Sequence, residues 1–169
     1  MAADSRAAAA AEAVAAPGSR AVRALLAFVQ SRDSRFGAGA WATSIVRVVT
    51  GLFFVSTSLG KFFDYSKEVD DFRSYEVPWA EVAVPAVGAL ELVGGGLLVI
   101  GLFTRLSALL LALNMVGALA TAGRVEGGSF HLVYAPALLV AMLFLLWAGP
   151  GRWSVDERRR GPRPTASSV

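Results

Sequence analysis

A single carboxylate lies inside a long apolar stretch of this sequence. Glu91 occurs in the segment GALELVGGGLL, and residues 82–104 contain no other charged side chain. A carboxylate among apolar groups is costly unless it is protonated or paired with a cation. Such a group can fix the register of two helices, bind the polar head of a ligand or carry a proton. These uses are the chemistry that Glu91 makes available.

The cations that could neutralise Glu91 lie in the preceding apolar stretch, at Arg47 and Lys61. They are about four helical turns apart, so they share one face of a helix and are separated by ~21 Å along its axis. In a helical hairpin Glu91 falls between them in depth, and either cation could be its partner. Lys61 is slightly favoured, because the connecting loop brings it to the same side as Glu91. Asn114, in a later apolar stretch, is a further polar group expected to point inward, most simply as a hydrogen-bond partner between helices.

His131 is the one histidine of the chain, and there are no cysteines. It lies next to the last apolar stretch, where it reads either as an ordinary interfacial histidine or as a group that titrates near neutral pH. This composition excludes thiolate zinc sites, cysteine-ligated iron–sulfur clusters and a haem held by two histidines of this chain. No metal site, phosphate-binding loop or Ser–His–Asp set is expected, so an enzyme that acts alone is the least favoured reading.

The elements that must position these residues are four apolar blocks, each close to the roughly 20 residues that a helix needs to cross a bilayer. Of the 169 residues, 55% are hydrophobic and only 17% are charged, which is too little charge to cover a water-soluble domain. Backbone groups in lipid must be paired within the segment, so the blocks are expected to be helices. The blocks are Trp41–Phe63, 82–103, 106–122 and Leu132–Ala148. The predicted fold is therefore an all-α bundle of four transmembrane helices.

Glycines on the face of Glu91 indicate how closely these helices approach. Gly88 and Gly95 flank the carboxylate on one side of its helix, Gly94 is adjacent, and Gly51 lies on the face of Arg47 and Lys61. Small residues at such spacings let two helices pack tightly in a membrane. We predict that these glycines form helix contacts around a polar centre.

The charged ends of the chain predict its orientation. Arginines concentrate in 1–40 and 149–169, whereas acids outnumber bases in the connection 64–81. Basic segments remain in the cytoplasm, so both termini are expected inside and the acidic connection outside. We divide the chain into an Ala/Arg-rich tail (1–40), a transmembrane domain (41–148) and a basic tail (149–169). Within the first tail, 19–32 forms either an amphipathic helix on the membrane surface or a frayed helical end. The net charge of +3 needs no nucleic-acid partner.

Three segments, RVVTGLFFVSTSLGKFFDY, GALELVGGGLLVIGLFTRLSALLLALNM and GPGRWSVDERR, together resemble the DoxX family of small four-span bacterial membrane proteins. The shared features are the Arg and Gly–Lys of the first span, Gly-x-x-Glu-x-x-Gly-Gly in the second, Thr-Arg after it, and the final Gly-Pro-Gly-x-Trp-Ser-x-Asp. The resemblance runs from about residue 44 to residue 156. It implies a four-helix bundle in the bacterial inner membrane. It also implies association with redox complexes, because some relatives are parts of a thiosulfate:quinone oxidoreductase or of an oxidative-stress complex.

Three hypotheses follow for the function. The first is an accessory subunit of a membrane redox complex, in which the polar groups around Glu91 bind a quinone that the chain does not itself hold covalently. The second is a transporter or binding protein for a small molecule or lipid, in which the same buried charges mark the substrate path. The third is a structural bundle that recruits a partner subunit, with the ion pair serving only to hold the helices.

Overall fold

The computed structural model describes residues 22–24, 27–28, 41–126 and 130–158, without the side chains of residues 130 and 131. Residues 22–24 and 27–28 are helical and belong to a unit of their own, Met1–Ser31. The surface helix predicted over 19–32 therefore lies mostly outside the described residues. The remaining ranges belong to the second unit, which contains all the apolar blocks.

The described part of the second unit is helical and contains no strand. Its elements in chain order are α1 (Trp41–Phe63), α2 (Tyr65–Ser74), α3 (Ala80–Ile100), α4 (Thr104–Ala120), α5 (Ala122–Val125), a π-helical turn (Phe130–Tyr134), α6 (Ala135–Ala148) and α7 (Val155–Arg158). Helix α1 packs on α3, α3 on α4, α4 on α6, and α6 returns to α1. These four long helices form the bundle, and their shared core includes Phe54, Leu98, Leu111, Met142 and Leu145.

Helix α1 has its polar side inside the bundle and its apolar side outside. Its buried residues include Ser44, Arg47 and Ser58, whereas Val49 and Leu52 are more than half exposed. A helix on the surface of a water-soluble protein has the reverse arrangement. The outward apolar face is suited to lipid, and the inward polar groups find partners in the bundle.

Three stretches are long and apolar enough to cross a membrane, namely Trp41–Phe63, Ala80–Ile100 and Thr104–Val125. The fourth, Leu132–Ala148, is shorter but equally apolar, and its 17 residues extend about 25 Å as a helix. The predicted all-α membrane bundle is therefore confirmed. The chain contacts the lipid bilayer through the outer faces of these helices.

The second and third spans have different ends from those that the sequence predicts. The second span begins at Ala80 and ends at Ile100, because Gly101 adopts a left-handed conformation (φ 72°) and its N–H bonds back to Leu97 and Leu98. The third span begins at Thr104, two residues before its predicted start. The glycine is required at 101, since a Cβ there would lie 2.5 Å from the Cβ of Ser154.

The connection predicted as an acidic loop, 64–81, contains the ten-residue helix α2. A hydrogen bond attaches its first residue to α3: the Tyr65 hydroxyl donates to the Glu81 carbonyl oxygen at 2.9 Å. Pro85, four residues after Glu81, has no N–H to offer that carbonyl within the helix. The proline thus leaves an acceptor on α3 that the tyrosine satisfies.

Helices α1 and α3 meet at glycines. A Cβ built on Gly95 would lie 2.8 Å from the carbonyl oxygen of Gly51, and a Cβ on Gly51 would lie equally close to the carbonyl oxygen of Gly95. Backbone atoms are therefore in direct contact at this crossing, as is typical of small-residue interfaces in membranes. Gly96, one residue further, has no heavy atom within 4 Å of such a Cβ.

We predict that Gly95→Ala destabilises the bundle by about 1–3 kcal/mol, the usual cost of forcing a methyl group into a packed contact. Gly96→Ala is the matched control and should leave stability unchanged or slightly higher, because alanine favours the helix. Thermal unfolding of the protein in detergent, followed by circular dichroism, measures both. Equal melting temperatures for the two variants would contradict the close contact.

Candidate functional site

The central polar cluster joins three helices around Glu91. The Lys61 ammonium nitrogen, in the last turn of α1, lies 2.9 Å from Glu91 Oε2. On the other side, the amide nitrogen of Asn114, from α4, donates to Glu91 Oε1 at 3.0 Å. The side chains of Lys61 and Glu91 are 12% and 6% exposed. Each carboxylate oxygen therefore has its own donor, which is the condition for a charged group to remain inside a bundle.

A glycine on α3 allows Lys61 to approach Glu91. A Cβ on Gly88 would lie 3.2 Å from the Lys61 Cβ, so the side chain of Lys61 starts against the backbone of α3. From there its ammonium group needs to extend by less than one helical turn to meet Glu91. Gly94 packs instead on α4, where a Cβ would lie 3.2 Å from the Leu111 side chain. The glycines predicted as packing positions thus lie at contacts of α3 with both of its neighbours.

Arg47 is not a partner of Glu91, so the alternative left open by the sequence is resolved in favour of Lys61. The guanidinium group of Arg47 lies at the opposite end of α1 from Lys61 and is almost fully buried. Nη1 donates to the carbonyl oxygens of Leu98 and Val99, the latter at 2.9 Å, and Nη2 to that of Trp153 at 3.4 Å. The carbonyls of Leu98 and Val99 lie in the last turn of α3, where the helix dipole places partial negative charge. Arg47 therefore caps α3.

Asp156 performs the complementary role on the next helix. Its carboxylate accepts hydrogen bonds from the backbone N–H groups of Phe103, at 3.1 Å, and Thr104, at 3.0 Å. These N–H groups open α4, where a negative charge is favourable. The Asp156 N–H also donates to the Gly101 carbonyl oxygen at 2.9 Å. Arg47 and Asp156 thus fix the turn between α3 and α4 from both sides.

Residues 149–158 belong to the folded bundle, although the sequence assigns them to a basic tail. Gly149, Pro150, Gly151, Ser154 and Asp156 are buried. The Ser44 hydroxyl donates to the Arg152 carbonyl oxygen, which attaches the segment to α1. Arg105 is also buried at this end of the bundle, with 3% exposure.

A cavity of about 720 Å³ lies beside the central cluster. Lys61, Glu91 and Asn114 form part of its wall. The rest is mainly apolar, and it includes side chains from α1, α3, α4 and α6, among them Phe53, Phe54, Val87, Leu113 and Leu138. Ligand pockets commonly have volumes of about 300–1,000 Å³ and combine apolar walls with a few polar groups. This cavity has both properties.

The mouth of the cavity is polar and is formed by two connections. Glu68, Asp71 and Tyr75 come from α2 and its C-terminal end, and Glu126 follows α5. The Tyr75 hydroxyl donates to Glu126 Oε2 at 2.8 Å. Burial first, and then this hydrogen bond and the negative charge of Glu126, raise the pKa of the Tyr75 phenol above its ordinary value. Tyr75 therefore remains a neutral donor at physiological pH.

Comparison with known proteins agrees with this architecture. The DoxX family profile matches residues 42–124. The uncharacterized membrane protein Rv3486 of Mycobacterium tuberculosis is 35% identical over 136 residues, which cover 72% of this chain and 82% of the relative. The chain belongs to the DoxX family. It is a bacterial membrane protein.

A second relative carries a functional name. A Bacillus subtilis protein, provisionally named oxidoreductase CatD, is 37% identical over 79 residues, which cover 47% of this chain and 58% of the relative. No solved structure gives a significant match.

The structure brings together three of the site residues that the sequence singles out, Glu91, Lys61 and Asn114. It separates Arg47 from them, and the side chain of His131 lies outside the described part of the chain. Within the described ranges, no group of three or more His, Asp or Glu residues could hold a metal ion. The mouth residues Tyr75 and Glu126 escape sequence analysis because they are far apart along the chain and neither lies in an apolar span.

We predict that Lys61→Met destabilises the bundle by about 3–5 kcal/mol, because it leaves the Glu91 carboxylate buried without a cation. Lys67→Met is the control: it removes the same charge from an exposed position on α2 and should leave stability unchanged. Unfolding of the two variants in detergent provides the comparison. Similar stability for both variants would show that the ion pair of Lys61 and Glu91 makes no net contribution to stability.

Proposed function

We propose that this DoxX protein is an accessory subunit of a membrane redox complex and that its cavity binds a quinone. The observation that carries the proposal is the position of the Lys61–Glu91–Asn114 cluster in the wall of a 720 Å³ apolar cavity. The oxidoreductase name of the Bacillus subtilis relative supports a link to redox chemistry. A quinone combines a polar ring with an apolar tail, so it matches both parts of this wall.

The polar cluster suits the carbonyl oxygens of a quinone ring. An ammonium group has three donors and an amide nitrogen has two. The hydrogen bonds to Glu91 use one donor of Lys61 and one of Asn114, so each residue retains capacity for a ligand. Both donors are fixed by the carboxylate between them, which lowers the cost of ordering them when a ligand binds.

A bound quinone supplies an acceptor for two electrons and two protons. Glu91 is the residue placed to exchange a proton with the ring, since it is the buried carboxylate in the wall of the cavity. Lys61 balances the charge of the ionised carboxylate, and protonation of Glu91 would leave one net positive charge on the pair. The electrons are exchanged with a partner subunit in this proposal, because the sequence offers neither cysteines nor a histidine pair to hold a redox centre.

Extraction from native membranes tests this assignment. The protein is purified in mild detergent, and the co-extracted small molecules are quantified by mass spectrometry. We expect a quinone at close to one per chain, reduced at least severalfold in Glu91→Gln. The control is Glu81→Gln, which alters an exposed glutamate on the same helix α3 and should retain the quinone.

The other outcomes of this experiment decide against the quinone. A stoichiometric lipid or other amphiphile in place of a quinone would indicate the small-molecule binding or transport hypothesis. An empty protein that co-purifies with another subunit would indicate a structural role. A folded Glu91→Gln variant that retains the quinone fully would exclude the carboxylate from binding.

We further propose that the protein lies in the inner membrane with both termini in the cytoplasm. The arginines of 1–40 and 149–169 support this orientation, because positively charged segments are retained inside. It would place α2 and the mouth of the cavity on the outer side. Alkaline phosphatase fused to either terminus should be inactive, whereas green fluorescent protein at the same positions should fluoresce. An active phosphatase at one terminus alone would show an odd number of crossings.

A further inference from the structure

Helix α2 forms part of the wall of the cavity. Glu68, Asp71, Phe72 and Tyr75, on this helix and its C-terminal end, all line the cavity. We propose that the cavity has its entrance at α2, that this helix is a movable lid and that the hydrogen bond between Tyr75 and Glu126 holds it closed. What passes the lid rests on the proposed function, whereas the opening itself can be measured without any ligand.

The lid is weakly attached to the bundle. Of the ten residues of α2, Val69 is the buried one. It packs with Ala80, Val84 and the partly buried Phe72 in a small apolar cluster that is distinct from the main core. An element with few buried apolar contacts is the kind that opens without unfolding the rest of the protein. Displacing α2 would therefore leave the four-helix core intact.

Two side-chain contacts join α2 to the beginning of α3. The Tyr65 hydroxyl bonds to the Glu81 carbonyl oxygen, and Arg73 forms an ion pair with the Glu81 carboxylate. Both contacts join α2 to the segment that directly follows it in the chain. They can act as a hinge, because they restrain the base of the lid without crossing the entrance.

Tyr75 joins α2 to the other connection that lines the cavity. It is the C-terminal capping residue of α2, and its hydroxyl donates to Glu126, which follows α5. Both residues line the cavity. The carboxylate is a charged acceptor, and hydrogen bonds to charged groups are stronger than those between neutral ones. This bond is therefore the latch of the lid.

The connection between α2 and α3 has the conformation expected of a hinge. Glu76 and Trp79 both have positive φ angles, 59° and 53°, although neither is glycine. Such conformations are unfavourable for residues with a Cβ, and they persist only where surrounding contacts impose them. The positive φ of Glu76 belongs to the end of α2, where the Val77 N–H donates to the Phe72 carbonyl oxygen. The two residues therefore mark the turns of the connection about which α2 would pivot.

A single cysteine in the cavity tests the lid. Because the chain contains no cysteine, Thr57→Cys places one reactive thiol in the cavity wall. Its rate of reaction with a water-soluble maleimide is measured in detergent, without added quinone. We expect Tyr75→Phe to raise this rate about tenfold or more, as the loss of a hydrogen bond to a charged group implies. Glu126→Gln, which retains a neutral acceptor, should raise it less.

Tyr65→Phe is the matched control, because it removes a hydroxyl from the same helix on the hinge side and should leave the labelling rate unchanged. Melting temperatures of all variants confirm that the bundle stays folded. An unchanged rate in both Tyr75→Phe and Glu126→Gln would overturn the proposal, as would an equal rise in Tyr65→Phe. If Tyr75→Phe is labelled faster but the protein carries no quinone, the lid is supported and only the proposed ligand is refuted.

Discussion

A buried carboxylate in lipid must be neutralised, and this requirement organises the bundle. Glu91 is surrounded by apolar residues on its own helix, so its cation and its hydrogen-bond donor must come from neighbouring helices. Lys61 supplies the first from α1 and Asn114 the second from α4. Any shift of α3 relative to either neighbour would move the Glu91 carboxylate away from its partners. The cluster therefore fixes the register of three helices, and the same requirement leaves polar groups beside an otherwise apolar cavity.

This arrangement depends on how closely α1 and α3 approach. Backbone contact at Gly51 and Gly95 brings the helix axes together, and Gly88 admits the Lys61 side chain against α3. Larger residues at these positions would separate the helices and move the ammonium group away from the carboxylate. In a membrane the helices gain little from burying apolar side chains, because the lipid is equally apolar. The glycine contact and the ion pair thus depend on each other.

How much of this structure the sequence predicts depends on whether each interaction joins two side chains or a side chain and the main chain. The four spans and the candidate partners of Glu91 could be predicted, because charge is rare in these segments and helical geometry limits which groups can meet. The choice between Lys61 and Arg47 could not. Arg47 could not be assigned, because its acceptors are main-chain carbonyls at the end of α3 and beyond α6, and carbonyls leave no signal in the sequence. The folded segment around Asp156 reads as a tail for the same reason: its polar side chain bonds to backbone N–H groups.

The two cations on one face of α1, Arg47 and Lys61, lie at opposite ends of the bundle, and these two ends differ in how tightly they are held. At one end, Arg47 and Asp156 satisfy the termini of α3 and α4, and the surrounding residues are buried. A polar network of this kind resists separation, because opening it would leave several backbone groups without partners. At the other end, Lys61 is partly exposed to a cavity, and the covering helix α2 buries little apolar surface. Motion is therefore least costly at the cavity end.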